Sequence, residues 1–141
     1  MAKGEPFILY SDGASRGNPG NGGGGAVLYD GSGAVVATVK RYLGVCTNNE
    51  AEYRALMLGL EEALNRRIKN LKIFLDSELL VRQIAGIYRV KNKNLQGLMH
   101  EVRKLLSLLD TYTVDHVARE KNRVADSLAN EAIDESLRSN G

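Results

Sequence analysis

Four acidic residues in this chain stand where an acid can do chemistry. Asp12 closes the apolar run "FILYSD", and Asp76 closes the similar run "LKIFLD". Glu52 lies near the start of "TNNEAEYRAL" and Asp126 near the start of "RVADSLANEA". Either aspartate at a strand end could be a turn former or a helix cap. Glu52 is harder to explain that way. At about 100° per residue it shares a helix face with Leu56, Gly59, Leu60 and Ala63, which puts a carboxylate on the apolar side. An unpartnered carboxylate there costs several kcal/mol, whereas one at a helix start that reaches solvent costs little.

If the four acids share one sheet edge, they need a cation. Two carboxylates about 4 Å apart repel by roughly 4 kcal/mol at an effective dielectric near 20. A site built only from oxygens, with no His or Cys, suits a hard ion such as Mg²⁺ or Mn²⁺. Two such ions about 4 Å apart support in-line displacement at a phosphodiester by activating water and stabilising the leaving oxygen.

The elements that must position these acids follow from the pattern. Phe7 to Asp12 reads as a buried strand, and "GAVLYDGSGAVVATVKRYLG" as two more strands joined by a turn at Asp30 to Gly33. The glycine-rich stretch between, "SDGASRGNPGNGGGG", invites a phosphate-cradle reading. A cradle's glycines open a helix and end in Gly-Lys-Ser/Thr, and these lead into a strand with no such ending. Thr47 with Glu50 has the form of a capping box, which starts a helix through about Asn65. Leu71 to Leu75 is a fourth strand, after which Ser77 can cap a short helix to about Gly86. Leu95, Leu98, Met99, Val102, Leu105, Leu106 and Leu109 mark a longer helix, "TYTVDHVA" a fifth strand and "RVADSLANEAIDESL" a last helix. A crossover helix between strands makes them parallel, so Asp12 and Asp76 fall at the same sheet edge, with Glu52 and Asp126 at helix starts that can close over it.

Composition bounds the rest. The 141 residues, 43% hydrophobic, suffice for one core, and residues 1–141 are read as one domain with an ordered core of about 6–138. The net charge is +2, with basic groups clustered at Arg66, Arg67, Lys69 and Lys72, at Arg89, Lys91 and Lys93, and at Arg119, Lys121 and Arg123. That distribution permits a polyanionic partner and also fits solvated helix and loop ends. Cys46 is the one cysteine, which excludes a disulfide framework and a cysteine-based zinc site. No run approaches the roughly 18 apolar residues of a membrane span, and "MAKGEPF" lacks a signal-peptide core. A cytoplasmic protein with no membrane partner is expected.

The segments "DGASRGNPG", "TNNEAEYRAL", "LDSELLVRQI" and "REKNRVADSLANEA", in this order from Asp12 to Ala132, resemble a type 1 ribonuclease H. The resemblance implies an α/β ribonuclease H-like fold of order βββαβααβα, with a mixed five-stranded sheet ordered 3-2-1-4-5 and flanked by helices. It implies a metal-dependent endoribonuclease that hydrolyses the RNA strand of RNA/DNA hybrids, leaving 3'-hydroxyl and 5'-phosphate ends. It carries the metal-binding and catalytic quartet onto Asp12, Glu52, Asp76 and Asp126, with two Mg²⁺ ions per site and Mn²⁺ as a substitute. It places hybrid contacts at Gly13, Ser15, Asn18, Thr47, Asn48 and Asn49, and at Ser77 and Glu78. The wide minor groove with its 2'-hydroxyls suits amides that both donate and accept. The expected partner is the hybrid, with the protein acting as a monomer and without an obligate protein partner. The alternative from another class is a nucleic-acid-binding module of the same fold with weak or no cleavage. The acid quartet argues against it, because a pure binder gains nothing from negative charge beside phosphates.

Three departures from the family pattern stand out. Glu78 occupies a position where some relatives have Gln, and an ionised carboxylate accepts but cannot donate. Between the middle helices "IYRVKNKNLQ" replaces a tryptophan-bearing basic protrusion, so Arg89, Lys91 and Lys93 are expected to bind the hybrid. No histidine precedes Asp126 in the family's mobile loop. His116 falls inside the strand pattern, where it is expected to be a packed or edge residue, and Arg119 is the nearest replacement, as an electrostatic rather than a proton-transferring group.

Overall fold

The hydrophobic patterns resolve into five strands and four helices in a computed structural model that describes residues 5–140. In chain order they are β1 (Phe7–Gly17), β2 (Gly20–Tyr29), β3 (Val35–Cys46), α1 (Asn48–Asn65), β4 (Asn70–Leu75), α2 (Glu78–Ile84), α3 (Lys93–Leu106), β5 (Thr111–His116) and α4 (Arg123–Asn140). A 3₁₀ turn, Arg119–Lys121, precedes α4. The first four residues of the N-terminal stretch "MAKGEPF" lie outside the described residues. The strands form one sheet in the order β3-β2-β1-β4-β5, with β1, β2 and β3 antiparallel and β1, β4 and β5 parallel. This is the mixed α/β sheet that the resemblance implies.

One boundary differs from the sequence reading in a way that matters for the site. β1 does not stop at Asp12. Its parallel pairing with β4 ends at Ser11↔Leu75, but its antiparallel pairing with β2 continues to Gly17↔Gly20. The glycine stretch is therefore two paired strands, with Asp12 inside β1 at the point where β4 leaves it. Packing explains why glycine serves in a strand here. A side chain at Gly23 would run into the backbone of Ala129, and one at Gly25 into Ala125 and Ala129, so their absence lets α4 lie directly on β2. The intervening Gly24 faces Ala55 and Leu58 of α1. Alternate residues of β2 thus face different helices, which puts α1 and α4 on opposite sides of the sheet.

The main core lies on the α1 side, where Leu9, Leu56, Leu60, Leu71, Ile73 and Leu75 meet Leu80, Val102 and Leu106 from α2 and α3. Leu109, predicted to extend the third helix, is buried three residues beyond its end.

Candidate metal centre

Asp12, Glu52 and Asp76 each offer a carboxylate oxygen within 4.8 Å of the other two. Three separate elements bring them together. Asp12 stands in β1 at the end of its pairing with β4, and Asp76 follows the last residue of β4. Glu52 reaches them from α1, whose start is fixed by the predicted capping box. The Glu50 N–H donates to Thr47 Oγ1 at 3.1 Å, and the Thr47 N–H donates to Glu50 Oε1 at 2.8 Å. Gly13 sets the approach of that helix. A Cβ there would collide with the backbone of Ala51 and Glu52, so glycine lets the first turns of α1 lie against β1. The Gly13 N–H also donates to the Glu52 carboxylate.

Glu52 is only 7% exposed and Asp12 6%, so the helical-phase argument for an apolar-side glutamate holds and the solvent-reaching alternative does not. Burial, then the charges of Glu52 and Asp76, pushes the Asp12 carboxyl up to about 10. Burial pushes Glu52 up to about 7, against the pull of its hydrogen bond with Asp12, the Gly13 N–H and the Arg119 guanidinium. Without a cation, burial favours the protonated form of this pair. The donor set, oxygen only and short of positive charge, fits Mg²⁺ or Mn²⁺.

Asp126 stands outside the group of three. It lies in the first turn of α4, half-buried, and its carboxyl reaches Asp12. The Asn130 amide Nδ2 is 3.4 Å from Asp126 Oδ1 and donates to the Asp126 carbonyl at 3.0 Å, and Arg16 in turn donates to Asn130 Oδ1 at 3.2 Å. Arg119 opens the 3₁₀ turn, exposed, and lines an open cavity with Glu120, Arg123, Asp126 and Ser127. His116 ends the edge strand β5 and is exposed, so of the two expected places, packed or edge, it takes the edge; on the α2 side it faces a cavity shared with Glu78 and Arg82.

The remaining predicted contact residues split between exposed and internally committed side chains. Asn48 and Asn49 are exposed on the first turn of α1. The Ser15 hydroxyl, with one proton to donate, lies 2.8 Å from the Cys46 carbonyl at the end of β3 and also within reach of the Gly17 carbonyl, while Asn18 Oδ1 accepts from the Asn48 N–H at 3.1 Å and ties the β1–β2 hairpin to the α1 start. Thr47 and Ser77 cap α1 and α2. Glu78 accepts from Arg82 Nε and Nη2 at 3.0 and 2.8 Å, which offsets its charge. A third cavity brings Asn18, Thr47 and Asn49 together with Asn92 and Asn94 at the start of α3. Asn92 also caps α3, its Oδ1 accepting from the Leu95 N–H at 3.1 Å, and the sequence pattern marks neither asparagine as part of a site because the cavity forms only when α3 docks beside α1.

Known proteins share this sequence pattern and fold. Residues 10–132 match the family model described as reverse transcriptase-like. The chain is 40% identical over 127 residues to the ribonuclease HI of Halobacterium salinarum, covering 90% of this chain and 64% of that protein. It is 35% identical over 156 residues to the ribonuclease H of Methylococcus capsulatus, covering 99% of this chain and 97% of that one. The crystal structure of LC11-RNase H1 in complex with RNA/DNA hybrid superposes with a TM-score of 0.88 at 38% identity, covering 93% of this chain and 99% of that one. The chain spans less than two thirds of the Halobacterium protein and 36% of mycobacterial relatives that are 38% identical to it.

Proposed function

Because the chain belongs to the ribonuclease H family, we propose that it is an endoribonuclease that hydrolyses the RNA strand of RNA/DNA hybrids, leaving 3'-hydroxyl and 5'-phosphate ends. The observation that carries this reading is the convergence of Asp12, Glu52 and Asp76 within 4.8 Å at the end of the β1–β4 pairing. In this reading Asp12, Glu52, Asp76 and Asp126 hold two Mg²⁺ ions, with Mn²⁺ able to replace them. When bound, the metal supplies Lewis-acid stabilisation of the transferring phosphodiester and activates water.

The protein's own groups do the rest. Asp12 and Glu52 give up the proton that burial favours, so cation uptake releases protons and strengthens with pH. The Gly13 N–H holds Glu52 in its ionised form. Asn48 and Asn49 present amides to the minor groove, and Thr47 with Asn92 and Asn94 offers polar groups to a backbone phosphate. Gly13, Ser15, Asn18 and Ser77 shape and hold that surface, and Glu78 faces ribose with its charge offset by Arg82. Arg119, whose charge acts on Glu52, offers a guanidinium to a phosphate oxygen as charge develops. The reading extends to a monomer acting in the cytoplasm, consistent with one buried, free cysteine. Among the described residues no helix is long and apolar enough to cross a membrane.

The test is cleavage of an end-labelled hybrid beside DNA duplex, RNA duplex and single-stranded RNA, with Mg²⁺ and Mn²⁺ in turn. The RNA of the hybrid should be cut with metal and left intact in EDTA. Binding to the hybrid without cleavage under any of these conditions would instead identify a binding module.

A further inference from the structure

Asn122 is 1% exposed and sits immediately before α4, where asparagine is ordinarily a helix cap. Its backbone does that work: the Asp126 N–H donates to the Asn122 carbonyl at 3.1 Å, the first bond of the helix. Its side chain does not. A capping asparagine turns its amide oxygen toward the first helical N–H groups, yet Asn122 Oδ1 is buried with no partner. The amide nitrogen points the other way, donating to the Ser11 carbonyl at 2.9 Å and to Asp76 Oδ2 at 3.2 Å. This orientation is fixed by chemistry, since the carbonyl and the carboxylate are both acceptors and a flipped amide would set oxygen against oxygen. An unpartnered buried acceptor costs about 1–3 kcal/mol. The molecule tolerates that loss at a residue that joins three of the four acids: Asp76 directly, Asp126 through its N–H, and Asp12 through the carbonyl of the preceding residue.

We propose that Asn122 is a positioning residue for the carboxyl cluster, holding Asp76 against β1 and fixing the start of α4 beside it. This rests on the reading of the cluster as the centre that holds the metal. Asn122 occupies one oxygen of Asp76 and leaves the other for the cation. Groups that orient metal-ligating carboxylates in this way typically change metal affinity or activity by 10–100-fold when removed.

Asn122→Ser separates this role from helix capping, because serine is as good a cap as asparagine but too short to reach Asp76. The experiment titrates Mn²⁺ into wild type and variant by calorimetry, without nucleic acid, alongside hybrid kinetics and unfolding in EDTA. The variant should bind Mn²⁺ 10–100-fold more weakly and lose kcat in proportion, with KM for the hybrid little changed because Asn122 is buried. Mn²⁺ affinity and kcat within twofold of wild type would overturn the proposal. If the serine variant does not fold, the side-chain amide resonances of Asn122 in the wild type carry the test. They should shift on adding Mg²⁺ and shift in Asp76→Asn, and indifference to both would overturn it. A wild type that takes up no Mn²⁺ would defeat the metal reading itself, and this inference with it, which distinguishes the two failures.

Discussion

The carboxyl cluster has a buried wall and an open wall. On the buried side, β1 and α1 hold the buried Asp12 and Glu52, and the end of β4 the half-buried Asp76, through paired strands, a capped helix and a glycine contact that leaves no room for adjustment. On the open side, Asp126 is half-buried and Arg119 is exposed on a three-residue turn. The first wall fixes where charge is concentrated, and there desolvation pushes the Asp12 and Glu52 carboxyls up. The second can adjust to a substrate, because its side chains keep their water until something displaces it. On the proposed reading, placing the ligands on rigid elements and Arg119 on a short turn separates the binding of the cation from the handling of the phosphate.

The largest expected effect tests the buried wall. Asp76→Asn keeps the shape and removes a ligand charge worth several kcal/mol of transition-state stabilisation, so cleavage should fall by roughly 10³-fold or more while hybrid binding and the unfolding midpoint change little. Turnover near wild type in saturating Mg²⁺ would remove the basis for the contrast between the walls.

On the open wall the expected loss is smaller. Arg119→Ala should lower kcat about 10²-fold with little change in stability, and Arg119→Lys should recover part of it, because the charge returns without the planar fork. Asp76 and Arg119 variants with equal losses would mean that the two walls act as one unit. His116→Ala serves as the control. Since His116 is exposed, it should leave stability as it is, contrary to what its place in the strand pattern suggests. A dead but folded His116→Ala protein would move the open wall's role from Arg119 to His116.

How far the sequence reveals each wall follows the same division. The burial of Glu52 is legible because helical phase is a local property, and it survives whatever α1 packs on. Asp12 and Asp76 are legible because each ends an apolar run and a crossover makes the runs parallel. The continuation of β1 past Asp12 is not legible, since glycines have low strand propensity and only the bulk of α1 and α4 on either side explains them there. Asp126 looks equivalent to the other three in sequence, yet a helix start gives only its approach and not its final reach. Asn122 reads as a cap because capping is what asparagine does before a helix; its turn toward Asp76 depends on two acceptors 46 and 111 residues away.

The buried wall also makes a prediction about stability that the open wall does not. Asp12 and Glu52 have folded-state values of about 10 and about 7, above their ordinary values of 3.8 and 4.5. A carboxyl whose value is raised by folding stabilises the protein below its unfolded value and loses that contribution as pH rises through the folded one. In EDTA, stability should therefore fall from about pH 4, where the unfolded carboxyls ionise, to about pH 10, where the folded Asp12 does. Millimolar Mg²⁺ should reverse the trend, because the cation binds the ionised pair and only the folded state presents it. Unfolding midpoints across pH with and without Mg²⁺ measure both. A midpoint in EDTA that rises steadily over this range would mean that the acids are solvated rather than walled in.

The smallest effect lies farthest from the cluster. Lys91 and Lys93 are exposed at the start of α3, beside Asn92 and Asn94, in the cavity region that also takes in Thr47 and Asn49. If this surface follows a hybrid backbone, each lysine that neutralises a phosphate releases counterions and contributes roughly −0.9 to the slope of log affinity against log salt, the value for a DNA duplex. Replacing both by alanine should make the slope shallower by up to about 2, with kcat at saturating hybrid unchanged. The division between walls predicts that dissociation between binding and turnover, since the three clustered acids come from β1, α1 and the end of β4 and none from α3. An unchanged slope would place the phosphate contacts on other basic groups, with Arg89 and Lys121 next to be replaced. A lower kcat with an unchanged slope would show that the start of α3 positions the scissile phosphate rather than gripping the backbone, and the open wall would then extend beyond Arg119 to the cavity at the start of α3.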